Sequence, residues 1–395
     1  MPKRQTSALH AHDHRASTLG ESLTPPLYLT SSFRFGNYHE GTEVARGEHP
    51  GYVYTRSGNP TTDAASQVVS VWEGAEASLV LASGMAAISA SLLSLARPGD
   101  EVLMSPVQYG GTYAVRHGLG DAYGLKFRFA DMTNLDEVAA ALTAATRVVL
   151  VETIANPGMV VPPVDRLGQM CRDRGIALIV DNTFATGYLY QPLADGATLV
   201  VNSATKYMNG HGDTLAGTVS GTAAAVAPVK ALVSQMGSIA SPFAAYMLWR
   251  GLATLPLRMG AHSRHGMVVA EGLADMAPYA RVIYPGLESH PQHQWVREHF
   301  DAGQAGGMMA LELADDVSPE AFMDSLELFS RAVSLGDATS LVEQPGSLTH
   351  RSLTADELGA AGIHPHLIRL SVGLENPDDL LQDLRQALLS ARRAN

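Results

Sequence analysis

The segment 177–206 reads ALIVDNTFATGYLYQPLADGATLVVNSATK, and it sets the expected fold. Its two apolar runs, residues 177–181 and 198–202, are short and rich in branched aliphatic side chains, as strands buried on both faces are. The first run ends in Asp181, and the second is followed by Ser203, Thr205 and Lys206. Two such strands joined by a short segment are typical of an α/β sheet.

The same pattern continues on both sides of this segment. Apolar runs at 78–82, 101–105 and 147–152 alternate with helical stretches rich in Ala and Leu. We therefore predict an α/β fold with a doubly wound, mainly parallel sheet in a large domain over residues 58–256. A long helix at 257–276, strand-like runs at 308–313 and 368–372, and an amphipathic helix at 378–392 predict a smaller α+β domain over residues 257–395.

Residues 1–57 differ from the rest of the chain because they show no sustained hydrophobic periodicity. They contain scattered His, Pro, Gly and Arg residues. This composition predicts an arm that lies on another surface instead of folding alone.

The overall composition is that of a globular protein and excludes several classes of function. The chain has 395 residues, of which 46% are hydrophobic and 17% charged, and its formal net charge is -12. That charge argues against a nucleic-acid partner, and no run of about 18 uncharged apolar residues predicts a membrane span. A single cysteine and the lack of an apolar leader predict a cytoplasmic protein. No histidine cluster lies at a predicted strand end, so no metal site is expected.

Lysine is rare here, which makes its positions informative. Of the 27 lysines and arginines, only four are lysines: Lys3, Lys126, Lys206 and Lys230. Lys206 alone lies among small hydroxyl residues and glycines.

Ligands of open α/β sheets bind beyond the carboxyl ends of the strands, and polar residues follow several predicted strands. Ser83, Gly84 and Met85 precede a helix and can offer backbone N–H groups to a phosphate, although ordinary turns also use small residues. Tyr109 is followed by two glycines that leave room for a flat ring, the alternative being a core tyrosine. Asp181 brings a carboxylate to the same edge, unless it caps a helix.

Together these side chains match the needs of pyridoxal phosphate (PLP). The cofactor requires an amine for its aldehyde, a carboxylate for its ring nitrogen, a stacking ring and a cradle for its phosphate. Lys206 offers the amine, Asp181 the carboxylate and Tyr109 the ring. The phosphate would be bound by Ser83, Gly84, Met85, Ser203 and Thr205.

Nearly the whole chain resembles the Cys/Met-metabolism family of PLP-dependent enzymes, also called the trans-sulfuration family. The resemblance rests on the motifs YTRSGNPT at 54–61, ASGMAA at 82–87, ETIANP at 152–157, VDNT at 180–183, SATKY at 203–207, GHGD at 210–213 and RLSVGLE at 369–375. It implies the fold-type I, aspartate-aminotransferase-like fold. It also implies a homodimer as the active unit and a homotetramer as the assembly.

The resemblance assigns roles to individual residues. Lys206 would form the Schiff base and move protons, Asp181 would pair with the ring nitrogen, and Tyr109 would stack on the ring and protonate the leaving group. Tyr54 and Arg56 would reach the phosphate of the neighbouring subunit. The substrate carboxylate would be bound by Asn156, Ser334 and Arg369.

Within the family, the motifs at 210–213 and 332–337 are most similar to those of methionine γ-lyases. Val53, Ala114 and Val333 occupy positions where cystathionine-using members tend to place charges, so the distal pocket is expected to be poor in charge. Gly111 departs from the lyase pattern, which has a cysteine there.

We therefore predict γ-elimination from methionine or a related γ-substituted amino acid, giving 2-oxobutanoate, ammonia and a thiol or other leaving group. The alternative is γ-replacement, as in O-acylhomoserine sulfhydrylases and cystathionine γ-synthases. A regulatory, non-catalytic protein on the same scaffold is disfavoured because Lys206, Tyr109, Asp181 and Arg369 are all present.

Overall fold

The computed structural model describes residues 3–11 and 22–392 and contains two β-sheets. The strands of the larger sheet are β1 (Ala77–Leu81), β2 (Glu101–Met104), β3 (Lys126–Phe129), β4 (Thr146–Glu152), β5 (Ala177–Asp181), β6 (Leu199–Asn202) and β7 (Gly217–Gly221). Their order across the sheet is β1-β7-β6-β5-β4-β2-β3. All neighbours from β6 to β3 are parallel, whereas β7 runs antiparallel to both β1 and β6.

The five predicted strands of this sheet are confirmed to within one residue at either end. Strands β3 and β7 were not predicted. The sequence of β3 is KFRF, in which basic and aromatic residues alternate, and that of β7 is GTVSG, in which small and polar residues dominate. Neither strand carries the apolar run that marks a buried strand.

The smaller sheet consists of β8 (Ala280–Ile283), β9 (Met308–Leu313), β10 (Ser330–Arg331), β11 (Leu341–Glu343) and β12 (Leu367–Ser371). Its order is β10-β11-β12-β9-β8, and only the short β10 pairs in parallel. The predicted runs at 308–313 and 368–372 are β9 and β12, while the other three strands were not predicted.

The described residues form sixteen α-helices. They are α1 (Arg4–His10), α2 (Tyr38–Arg46), α3 (Pro60–Glu73), α4 (Gly84–Leu95), α5 (Gly110–Val115), α6 (Asp121–Tyr123), α7 (Leu135–Ala141), α8 (Val164–Arg174), α9 (Thr186–Leu189), α10 (Ala223–Met236), α11 (Pro242–Leu252), α12 (Leu255–Ala274), α13 (His293–His299), α14 (Pro319–Ser325), α15 (Ala355–Ala360) and α16 (Pro377–Ala391). The helices predicted at 257–276 and 378–392 correspond to α12 and α16.

The large sheet is buried on both faces, because alternate residues of its strands belong to two different core clusters. Val149 and Val180 pack into one cluster, and Leu150 and Ile179 pack into the other. All four are at most 1% exposed. This alternation explains why the central strands are continuous apolar runs.

The N-terminal residues are more regular than the lack of periodicity suggested. Helices α1 and α2 both lie in the range 1–57, of which residues 1–2 and 12–21 are outside the described parts. Arg4 donates hydrogen bonds to the carbonyl oxygens of Gly187, at 2.7 Å, and Tyr188, at 3.0 Å. Helix α1 therefore packs against α9 of the same chain. Among the described residues, no helix is long and apolar enough to cross a membrane.

Candidate active site

A cavity of about 860 Å³ lies beyond the carboxyl ends of the central strands, where the two sheets approach each other. Eleven of the residues predicted to bind the cofactor or the substrate line it: Ser83, Gly84, Met85, Tyr109, Asn156, Asp181, Ser203, Thr205, Lys206, Ser334 and Arg369. The parallel strands β4, β5 and β6 bring five of them together, since their carboxyl ends share one edge of the sheet: Asn156, Asp181, Ser203, Thr205 and Lys206.

Lys206 follows β6 and has an amine suited to nucleophilic chemistry. Its Nζ donates a hydrogen bond to the Ser334 hydroxyl at 2.7 Å. Burial, with a further contribution from the positive charge of Arg369, lowers the pKa of Lys206 to about 8. About a tenth of the molecules of an amine with this pKa are neutral at pH 7, far more than for an ordinary lysine, and only the neutral form attacks an aldehyde.

Asp181 is a buried carboxylate at the end of β5. It accepts hydrogen bonds from the backbone N–H of Thr183, at 3.0 Å, and from the Thr183 hydroxyl. Within the described residues, no Lys, Arg or His forms an ion pair with it. Burial raises the pKa of Asp181 to about 6, because a carboxylate without a cation is poorly solvated there. The site therefore offers a negative group that a cationic ligand atom can satisfy.

Helix α4 points its N-terminus at the cavity. Ser83 caps this helix, its hydroxyl accepting a hydrogen bond from the Ala86 N–H at 3.1 Å. The N–H groups of Gly84 and Met85 lie in the first turn, where no helix carbonyl is available to them. A Cβ on Gly84 would come within 2.8 Å of the Ser203 Cβ, so glycine is required for this close approach. Together with Ser203, the helix start forms an anion cradle.

The Thr205 hydroxyl has partners of its own in this structure. It accepts a hydrogen bond from the Ala216 N–H at 3.0 Å and lies 3.2 Å from the Ala216 carbonyl oxygen. It remains in the cavity lining next to Ser203.

Tyr109 follows β2 and lies at the start of α5. Its side chain is 38% exposed, and burial of the remainder raises the pKa of its phenol, so the group is protonated at neutral pH. A Cβ on Gly111 would come within 2.6 Å of the Tyr109 ring and 3.2 Å of the Met85 sulfur. Gly111 thus lets the ring lie against the backbone, as the glycines after Tyr109 had suggested.

Arg369 is a buried guanidinium on β12. Its Nη1 forms an ion pair with Glu343 at 2.8 Å and donates to Asn156 Oδ1 at 3.1 Å, and its Nη2 donates to the Ser334 carbonyl oxygen at 2.7 Å. Its Nε is buried and has no hydrogen-bond partner within the described chain. This N–H group belongs to a cation, borders a cavity and has no acceptor, so it is suited to bind an anion such as a carboxylate.

Two predicted cofactor residues and two predicted distal residues are not among the lining residues of this cavity. Tyr54 is 44% exposed, and the Arg56 guanidinium lies 5.4 Å from the centre of its ring. Val53 and Ala114 also lie outside the lining, whereas Val333 belongs to it. The prediction that Tyr54 and Arg56 serve a neighbouring subunit concerns a second chain.

Sequence reasoning missed several charged residues of the cavity and its wall. Glu152, Asp213, Asp337 and Arg351 line the cavity, and Glu343 lies behind Arg369. The cavity lining therefore contains four charged side chains that were not predicted as part of the site. Glu152 could have been found, because it is the last residue of a predicted buried strand.

The residues present fit PLP. Lys206 provides a reactive amine, Asp181 is a buried carboxylate that lacks a cation, and Tyr109 provides a ring. The start of α4 and Ser203 provide an anion site.

Known proteins resemble the chain over its full length. A sequence profile of the family described as Cys/Met metabolism PLP-dependent enzyme matches residues 5–389. L-methionine gamma-lyase from Pseudomonas putida is 44% identical over 392 residues, which cover 98% of both chains.

Solved structures agree with this sequence similarity. Cystathionine gamma synthase from Xanthomonas oryzae pv. oryzae, in complex with cystathionine, superposes with a TM-score of 0.93 at 34% identity, covering 99% of each chain. A Campylobacter jejuni protein provisionally assigned as an O-acetylhomoserine (thiol)-lyase contains N'-pyridoxyl-lysine-5'-monophosphate. It superposes with a TM-score of 0.92 at 30% identity, over 98% of this chain and 100% of that one.

Proposed function

The chain belongs to the Cys/Met-metabolism family of PLP-dependent enzymes, and from this premise we propose that it eliminates the γ-substituent of methionine or a related amino acid. The products are 2-oxobutanoate, ammonia and a thiol or other leaving group. The family, the fold-type I fold and the cofactor were predicted from the sequence and are confirmed. The observation that carries the proposal is full-length similarity to L-methionine gamma-lyase combined with one cavity that holds Lys206, Asp181 and Arg369.

Each predicted site residue has a task in this reaction. Lys206 provides the amine that binds the cofactor aldehyde and the base that removes the Cα proton of the substrate. Asp181 pairs with the ring nitrogen. The phosphate is bound by Ser83, Gly84, Met85, Ser203 and Thr205. Bound PLP supplies an electron sink that acidifies protons on the substrate carbons.

Arg369 and Tyr109 act on opposite parts of the substrate. The free Nε–H of Arg369 donates a hydrogen bond to the substrate carboxylate, while Asn156 and Ser334 hold the guanidinium in place. Tyr109 donates the proton that a poor leaving group needs, because its raised pKa keeps the phenol protonated.

The leaving group is a short substituent of low charge. Val333 borders the distal cavity, where an unpaired charged head group would be costly to bury. Since Asp213, Asp337 and Arg351 also line the cavity, cystathionine is the substrate that tests this preference most directly.

The proposed assembly is the one that the family resemblance implies, and it gives a role to Tyr54 and Arg56, which do not line the cavity of their own chain. Tyr54 and Arg56 bind the phosphate in the neighbouring subunit, the active unit is a homodimer, and two such dimers form a homotetramer. Residues 1–57 form the contacting arm, 58–256 the PLP-binding domain and 257–395 the small domain. The enzyme acts in the cytoplasm.

A product assay over a small panel tests the proposal. Release of 2-oxobutanoate is measured from methionine, homocysteine, O-acetylhomoserine and cystathionine, with and without an added thiol, and with Lys206→Ala as the inactive control. We expect release without thiol, with cystathionine the poorest substrate. If no 2-oxobutanoate is released and a thioether amino acid forms only when thiol is present, the result would instead support γ-replacement, the reaction class of the synthase that superposes on this chain.

A further inference from the structure

Glu152 connects two loops of the cavity through its carboxylate. Its Oε1 accepts a hydrogen bond from the backbone N–H of Tyr109 at 2.7 Å, and its Oε2 accepts one from the backbone N–H of Asn156 at 2.8 Å. The residue is 7% exposed and borders the cavity. The two short hydrogen bonds use both oxygens, so neither loop can shift without breaking one of them.

The position of Glu152 in the sheet explains this reach. It is the last residue of β4, which lies between β2 and β5. Tyr109 lies in the loop that follows β2, and Asn156 lies in the loop that follows β4. Glu152 is also the register partner of Asp181 on β5, so the two carboxyl groups stand side by side, and burial together with the charge of Asp181 raises the pKa of Glu152 to about 8.

Each of these two loops also forms a hydrogen bond with a residue other than Glu152. The carbonyl oxygen of Gln108 pairs with His350 Nε2 at 3.0 Å, and Asn156 Oδ1 accepts from Arg369 at 3.1 Å. Glu152 therefore links Arg369 to Tyr109, because it binds the backbone of Tyr109 and of Asn156, and Asn156 in turn accepts from Arg369.

We propose that Glu152 is the positioning residue that fixes Tyr109 relative to Asn156, so that the proton donor and the carboxylate site face the same substrate. This inference rests on the proposed function. Glu152 itself transfers no proton to the substrate. Its role is to keep the phenol where a leaving group develops charge, and a displacement of about 1 Å at such a group can cost about 100-fold in rate.

A buried carboxylate far from the cavity provides a matched control. Asp383 on α16 is 5% exposed, and its two oxygens accept backbone N–H groups of Glu327 and Leu328, both at 2.9 Å. Asp383→Asn makes the same chemical change as Glu152→Gln. In both variants an amide NH₂ replaces one acceptor oxygen and cannot accept a hydrogen bond.

The experiment compares these two variants in the PLP-loaded enzyme. Both are expected to lower the melting temperature. Only Glu152→Gln should change the visible circular dichroism of the bound cofactor and lower kcat for methionine by about tenfold or more. The loss with O-acetylhomoserine should be smaller, because acetate leaves without a proton from Tyr109.

A second comparison removes the phenol. If Glu152 acts by positioning Tyr109, then Glu152→Gln in a Tyr109→Phe background should lower kcat for methionine by less than about threefold. An equal loss in both backgrounds would overturn the proposal, as would matching kinetic and spectral changes in Asp383→Asn. Should Glu152→Gln fail to fold, Glu152→Asp takes its place, since the shorter carboxylate cannot reach both N–H groups.

Failure of the elimination reaction itself is distinguishable. A wild-type enzyme that releases no 2-oxobutanoate contradicts the proposed function, whereas the circular dichroism of the loaded protein still reports on Tyr109. An unchanged spectrum in a fully loaded Glu152→Gln enzyme would then overturn the role of Glu152.

Discussion

Replacing Glu343 by Gln should destabilise the protein far more than the same change at a surface ion pair. Glu343 and Arg369 face each other across β11 and β12, and their ion pair is 2.8 Å long. Their side chains are 0% and 3% exposed. Glu343→Gln therefore leaves a buried guanidinium without its counter-ion.

The expected magnitude follows from that burial. Removing one partner of a buried ion pair costs about 3–5 kcal/mol, because the remaining charge is neither solvated nor neutralised. The pair between Arg281 and Glu312 is the reference, since its side chains are 67% and 26% exposed. Breaking an exposed pair costs about 0–1 kcal/mol, so Glu312→Gln should have little effect.

Urea unfolding measures the difference when protein and cofactor concentrations are kept the same for all variants. The midpoint for Glu343→Gln should lie well below those of the parent and of Glu312→Gln. The double variant Glu343→Gln with Arg369→Met should lose less than the sum of the single losses, because it removes both charges. Equal midpoints for Glu343→Gln and Glu312→Gln would refute the reasoning.

Three further predictions concern the cofactor, the assembly and pH. Borohydride treatment of the PLP-loaded protein should attach the cofactor to the peptide that contains Lys206, and labelling at Lys126 or Lys230 instead would contradict the assignment. Mixed dimers of Arg56→Ala and Lys206→Ala subunits should recover part of the activity, because one of their two sites has both residues intact; no recovery in verified mixed dimers would exclude a shared site. Burial lowers the pKa of His262 to about 4, below its usual 6.5, so the unfolded chain takes up a proton first as the pH falls, and about 3 kcal/mol of stability is lost between pH 6.5 and 4. Urea unfolding of His262→Gln at several pH values should therefore show a shallower dependence over this range, and an unchanged slope would assign the acid sensitivity to other groups.

Much of the candidate active site could be predicted from the sequence. Parallel strands place their carboxyl ends on one edge of the sheet, so the polar residues that end or follow them come together there. Asp181 ends one strand and Lys206 follows another, both strands are marked clearly by apolar runs, and the structure brings both residues into one cavity. Strands β3 and β7 escaped prediction because one is a basic edge strand and the other is built from small residues. Whether the residues of these two strands are buried depends on the strands and helices packed against them, and their own hydrophobic pattern does not show it.

The sequence by itself determined the α/β class, the chain order of the cofactor-binding residues and the family. These depend on local hydrophobic runs and on the chemistry of residues next to them. Only the tertiary structure decided which groups neutralise one another. Glu343 meets Arg369 through an antiparallel register, and Glu152 meets Tyr109, which lies 43 residues earlier in the chain; no local pattern records either contact. The physical reason is that a buried charge takes its stability from partners that only folding brings within reach.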